Sequence, residues 1–365
     1  MISRAKQYSG IKYRLAIFDI FYILALLLVF LGSGLSKNIA SAIYKLAASN
    51  YFAIPLYLLV VSFIYYLLDL PLNYYRSFTL EHKFALTNQK ISDWVTDQIK
   101  TGILSYIISL ILFEVFYLTL KYNPRTWWLF VSLFWIFFNL GLAKLAPVII
   151  IPLFFKYKKL SDQALRSRII ALAERMKIKI LDVFEIDFSK KTLKANAAFV
   201  GWGSTRRVLL ADTLRDKYDY DEIEVILAHE FAHYRLKHLI KLVLISSFVT
   251  VLTFYLIFKS CVYFLNFFSL VSLSDLSAMP LIFLYVTVFG LFMQPFGNYL
   301  SRRMERNADM MALKTTGLKE AFISTMEKLA EQNLADRSPS RIIKTFFFDH
   351  PPIDERIALA KNWTK

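Results

Sequence analysis

The sequence predicts a mainly α, polytopic helical membrane protein: about six transmembrane helices, with one small α+β domain outside the bilayer. Three observations carry that expectation. Hydrophobic residues make up 56% of the 365, with 33 Phe, and the mean hydropathy is +0.44, whereas soluble domains are about 45–50% apolar. Six apolar runs approach or exceed the ~20 residues that cross a bilayer, at roughly 15–36, 52–72, 101–120, 127–150, 239–266 and 279–300. Between the fourth and fifth lies a polar stretch, 156–238, with helix and strand patterns of its own. The chain therefore divides into a membrane domain of four spans (1–157) and a second unit (158–365) that includes the last two spans.

The first run is too long for a signal-peptide core and lacks a clear small-residue cleavage site, so it reads as a retained anchor. Charge in the connections alternates along the chain. Arg4, Lys6, Lys12 and Arg14 precede the first span, Arg76, Lys83, Lys90 and Lys100 follow the second, and the long basic segment follows the fourth. The opposite side holds only Lys37 and Lys45, then Lys121 and Arg125, and 267–278 has no Lys or Arg. The positive-inside rule puts both termini and all the long polar segments in the cytoplasm. The net charge of +16 thus faces anionic lipid; no aromatic-basic pattern points to nucleic acid. Trp127 and Trp128 stand at a span edge, where interfacial aromatics belong. Lys144 and Pro147 imply a bend at the end of the fourth span, and Lys259 a tilt or early end of the long fifth run. Asp19, Glu114 and Asn139 fall inside spans, where polar groups face protein or water. The single cysteine, Cys261, excludes an internal disulfide and a cysteine metal cluster.

In the polar segment, "SDQALRSRIIALAERMKI" reads as a helix opened by Ser161. "KILDVFEIDF" and "ANAAFVGWGSTRRVLLAD" read as strands, the second a hairpin turning at Gly201–Gly203. "DYDEIEVILAHEFAHYRLKH" reads as a helix capped by Asp219 or Asp221. After the last span, "SRRMERNADMMALKTTG" reads as a helix closed by Gly317.

The pattern H-E-x-x-H at 229–233 carries the chemistry. Four residues on a helix turn through ~400°, so His229 and His233 project from one face a turn apart and can share one zinc ion. Glu230 then lies beside the metal, placed to take a proton from the attacking water. A catalytic zinc needs a third protein ligand. His238 lies nine residues after His229, one short of the metzincin spacing, and Leu236 stands where that pattern needs glycine. It reads instead as a helix-end histidine favoured by the C-terminal dipole. No Asp-Gly dipeptide exists to supply a ligand. Glu305, just past the sixth span, is the candidate, with Asp309 one turn on to orient a ligand histidine. From the residues alone, both acids could equally pair with Arg302, Arg303 and Arg306.

"LAHEFAHYRLKH", "SRRMERNADMMALK" and "DHPPIDERIALA" together resemble the type I CAAX prenyl proteases, integral-membrane relatives of the HtpX-type proteases. "SKKTLKANAAFVGWGSTRRVLLADTL", "NYYRSFTLEHKFALTNQKISDWVTDQIK" and "LAPVIIIPLFFKYKKL" extend the likeness over nearly the whole chain. The resemblance implies a zincin-like metalloprotease domain, one Zn2+ per chain held by His229, His233 and Glu305, and Glu230 as general base. It further implies that Asn196 holds the substrate backbone, that His350 donates to the oxyanion, and that Arg356 orients this region. The spans of that branch enclose a water-filled chamber. The implied enzyme is a membrane-embedded zinc metallo-endopeptidase, read as monomeric, that removes the C-terminal tripeptide of prenylated substrates. The alternatives are an HtpX-like quality-control protease and, more distantly, a non-enzymatic membrane scaffold. The chain begins near what looks like the second span of the eukaryotic members.

Overall fold

The computed structural model describes residues 3–47, 49–201 and 206–364, with backbone alone at 50 and 51. Helix α1 (Arg4–Gly32) is followed by a short α2 (Leu35–Leu46). Then α3 (Asn50–Tyr74) runs through a π-turn at Tyr75–Thr79 into α4 (Leu80–Lys83). Next come α5 (Ile91–Tyr122) and α6 (Trp127–Leu145), and a second π-turn at Ala146–Ile150 leads into α7 (Ile151–Phe154). Pro147, inside that turn, lacks the N–H the α-helical ladder needs, so the helix changes pitch where the sequence implied a bend. The extramembrane unit holds β1 (Tyr157–Lys159), α8 (Gln163–Arg175), β2 (Val183–Ile186), β3 (Ala197–Val200), β4 (Arg207–Ala211), α9 (Asp212–Arg215) and α10 (Tyr220–Arg235). The chain re-enters the apolar layer as α11 (His238–Phe267) and α12 (Met279–Thr316). It ends in α13 (Lys319–Gln332), α14 (Arg341–Phe347) and α15 (Ile353–Lys361).

Six of these helices are long and apolar enough to cross a membrane. They pack in a closed order: α1 on α12, α12 on α11, α11 on α6, α6 on α5 and α5 on α3. The circle closes where Asp19 of α1 pairs with Arg76 just beyond α3, at 2.6 Å, and Tyr22 donates to the Leu68 carbonyl at 2.9 Å. Buried positions occur only towards the two ends of this ring. None is found at 10–30, 59–79, 95–115, 133–146, 239–252 or 283–303. A ring one helix thick with no buried residue at mid-height is not filled by side chains, and this is the chamber that the resemblance implied. One end is stoppered by a packed cluster in which α2 and the turn Leu276–Ala278 meet α3, α5, α6 and α11. Trp127 belongs to that stopper. It is buried edge-on against Phe116 at 5.5 Å, not lodged at the lipid interface as its place in the sequence suggested.

The other end of the ring carries the sheet, in order β1-β2-β4-β3, with β2 and β4 parallel and the outer pairs antiparallel. The β3–β4 pairing is the expected hairpin; the turn expected at Gly201–Gly203 falls largely outside the described residues. β3 has a free edge. Helix α10 is fixed firmly. Asp219 accepts from the Glu222 N–H while Glu222 accepts from the Asp219 N–H, both at 2.9 Å. Asp219 is the cap, and not Asp221: each has a Glu three residues on, but the reciprocal backbone hydrogen bonds are made by Asp219 and Glu222, while Glu224 is held by α8. Glu222 also takes Ser324 and Lys328 of α13, each at 2.6 Å, and buried Glu224 is gripped by Arg168 and Arg175 of α8. Helix α8 itself is capped by Asp162, which accepts from the Leu165 N–H at 2.9 Å, one residue after the expected Ser161.

Two elements expected separately, the span at 279–300 and the helix closed by Gly317, are one 38-residue helix, α12. At 1.5 Å per residue it is about 57 Å long. No capping signal separates the apolar and polar parts, so the helix continues past Pro295, whose missing N–H removes one ladder hydrogen bond, to Gly317, whose φ of 69° ends it.

Asp182 ties α8 to the sheet. It accepts from Arg166 Nε at 2.7 Å and the Val183 N–H at 2.8 Å. The Arg166 hydrogen bond, working against burial, holds its carboxyl at about 2 instead of 3.8. A depressed carboxyl stabilises the fold fully above its unfolded pKa and loses that effect as pH falls through the folded value. The difference in melting temperature between wild type and Asp182→Asn is expected to be constant near neutrality and to shrink between about pH 4 and pH 2. Melts in detergent across that range check it.

Candidate metal centre

His229 and His233 face each other from successive turns of α10, Nε2 to Nε2 at 3.1 Å. Glu305 enters from α12, with Oε2 3.1 Å from His229 Nε2 and Oε1 3.3 Å from His233 Nε2. One ligand atom from each of the three lies within 4.8 Å of the others. Lone-pair atoms brought this close repel one another unless a cation or a shared proton sits among them, and Glu305 Oε2 is buried without a well-directed hydrogen bond, which favours the cation. Two imidazoles and one carboxylate form the donor set of a catalytic metal site. These residues therefore fit the ion that the sequence implied.

The convergence is set by how α10 and α12 cross. Each presents alanine at i and i+4, Ala228 and Ala232 on one and Ala308 and Ala312 on the other, and all four are fully buried. The short side chains let the helices approach until Glu305, 72 positions after His233, reaches the histidines. One turn further along α12, Asp309 Oδ1 stands 2.8 Å from His229 Nδ1. Arg356 of α15 grips Asp309 with both arms, at 2.8 and 2.6 Å. A proton on the Nδ1 that faces Asp309 leaves the Nε2 lone pair of His229 facing the centre. The alternative partners for these two acids, Arg302, Arg303 and Arg306, are not used. Arg302 instead donates to the carbonyls of Lys344 and Phe348.

Glu230 lies beside the pair and makes no hydrogen bond or ion pair among the described residues. Burial pushes its carboxyl upward, against the pull of the two histidines. His350, just before α15, sets Nε2 3.3 Å from Glu305 Oε2 and Nδ1 2.8 Å from Asp349 Oδ1. Burial works against its charge, but Asp349 and Glu305 outweigh it and raise its pKa. Asn196 does not touch the cluster. It stands exposed at the start of β3, its carbonyl accepting from the Ala211 N–H at 3.1 Å. β3 leans on α10 through Phe199, 5.1 Å from Phe231 between ring centres.

The structure corrects the reading of His238. Helix α10 stops at Arg235, Lys237 turns the chain through a left-handed φ of 55°, and His238 begins α11. It therefore stands at the positive end of a helix and not the negative end, buried, with Nδ1 3.1 Å from His233 Nδ1. Asp349 and Asn333, which accepts from the Ala195 N–H ahead of β3 at 3.1 Å, also went unread. Asp349 is adjacent in sequence to His350 and was open to notice; Asn333 carries no local signal.

A ring of membrane helices whose last member delivers a carboxylate to an H-E-x-x-H helix defines an integral-membrane metallo-endopeptidase. The chain belongs to peptidase family M48, whose pattern matches residues 159–364, and the pattern described as CAAX prenyl protease N-terminal, five membrane helices, matches residues 1–156. The chain is 32% identical to the uncharacterized metalloprotease YhfN of Bacillus subtilis, over 98% of its own length and 85% of the relative's. It is 30% identical to CAAX prenyl protease 1 of Saccharomyces cerevisiae, over 97% and 84%. The crystal structure of S. mikatae Ste24p superposes with a TM-score of 0.88 at 27% identity, covering 98% of this chain and 88% of that one. Among the described residues within 1–156 there are four long apolar helices.

Replacing an alanine at the crossing tests the geometry without touching a ligand. Ala308→Leu is expected to push α12 off α10, cost about 1–3 kcal/mol by overpacking, and strip the bound metal. Metal content of the purified variant, read against its melting temperature, checks this.

Proposed function

We propose that the protein is a zinc endopeptidase, active as a monomer, with its site open to the cytoplasmic side and prenylated polypeptides as its substrates. The convergence of His229, His233 and Glu305 beside an unpaired Glu230 carries the reading. Two imidazoles with one carboxylate suit zinc among the divalent ions. The basic connections lie on the side of the sheet, which the positive-inside rule assigns to the cytoplasm. The CAAX prenyl protease name of the yeast relative supports the substrate class.

A zinc ion held here supplies a Lewis acid that polarises the scissile carbonyl and acidifies the attacking water. Glu230 takes the proton of that water and hands it to the leaving amine; its raised pKa suits both acts. His350, held by Asp349, donates N–H to the oxyanion. The substrate lies extended along β3 as an added strand, with Asn196 holding its backbone. Asp309 and Arg356 fix the ring of His229.

Glu230→Gln is expected to keep one zinc per chain and lose about 10²–10⁴-fold in turnover; metal analysis and a peptide assay on the same sample check both. Asp309→Asn is expected to weaken zinc binding about 10–100-fold, read by chelator competition. A panel setting a farnesylated peptide beside its unmodified form and an unfolded membrane protein tests the substrate. Cleavage independent of the farnesyl group would defeat the prenyl reading and leave a general membrane-protein protease.

A further inference from the structure

His238 belongs to no element of the proposed chemistry, yet it is buried and its ring meets His233 edge-on, with centroids 5.0 Å apart. Its Nδ1 lies 3.1 Å from His233 Nδ1. Two nitrogens at that distance need one proton between them, and the geometry decides whose it is. A neutral imidazole has one N–H and one lone pair. If the Nε2 of His233 gives its lone pair to the metal, its proton is on Nδ1. The Nδ1 of His238 must then be the acceptor, and the His238 proton sits on its own Nε2, which is buried without a partner. Burying an unpaired N–H is costly, and here it is tolerated at the residue that supports His233.

We infer that His238 is a positioning residue for the metal centre, accepting the Nδ1–H of His233 and so fixing that ring's tautomer and orientation. The inference rests on His233 being a ligand. It explains an asymmetry: His229 is backed by the charged Asp309, His233 by a neutral imidazole, so the two supports add only one negative charge. It also gives a role to the left-handed Lys237, which folds the chain back so that a residue five positions on can reach His233.

The test uses the full-length protein in detergent with zinc and cobalt as probes. His238→Leu removes the acceptor, while His238→Asn keeps an oxygen where Nδ1 stood. His238→Leu is expected to lower zinc affinity about 10–100-fold in chelator competition and to shift the visible bands of the cobalt-loaded protein. His238→Asn is expected to restore affinity to within about threefold, with the wild-type cobalt spectrum. Losing a buried unpaired N–H, the metal-free His238→Leu is expected to melt no lower than wild type; should it fail to fold, His238→Ala carries the same comparison. Equal affinity and identical cobalt spectra in wild type and the apolar variant would overturn the inference, as would failure of His238→Asn to rescue a folded protein. Absence of metal binding by wild type, or its persistence in His233→Ala, would instead overturn the assignment of the ligands.

Discussion

Everything at the centre depends on two helices crossing closely enough. α10 and α12 meet through four buried alanines, and close packing there makes the position of Glu305 a property of the core and not of its own side chain. Side-chain freedom is small once the backbones touch, and protein interiors resist compression. The backbones bring a carboxylate and two imidazoles to about 3 Å, where a cation or a shared proton joins them. The packing energy of the crossing holds that arrangement, and the ion pair of Arg356 with Asp309 extends it to the last helix of the chain.

α12 also joins the two halves of the molecule. Its first part is a stave of the membrane ring, its last part a wall of the metal centre, and there is no break between them. Pro295 lies between the two parts and removes one hydrogen bond of the ladder, so it is the point on α12 where a displacement of the ring can be absorbed before it reaches Glu305. The ring itself is packed at its ends and open at mid-height. The stopper of α2, Trp127 and the turn before α12 closes the end remote from the sheet.

The sequence made some of this legible and concealed the rest for definite reasons. Hydropathy located all six spans, because in a bilayer every backbone group must be satisfied within a helix. The i, i+4 spacing located both histidines. It did not settle Glu305, because a carboxylate followed by arginines admits a surface ion pair as readily as a metal ligand; only the crossing decides. His238 was misread because the joint depends on Lys237 adopting a positive φ, which lysine seldom does and no neighbouring residue announces. Asn196 and His350 were reached only through family likeness. Trp127 was assigned to lipid because periodicity cannot distinguish a buried stopper from an interfacial belt.

The free margin of β3 has a consequence for selectivity. A cleft that engages a guest by its main chain reads shape before side chains, so it accepts many sequences but only where several residues can lie straight. Compact domains offer no such stretch away from their tails. Discrimination among proteins would thus begin with whether a frayed terminus can be threaded to the catalytic groups, and chemistry at the anchor would decide only among those admitted.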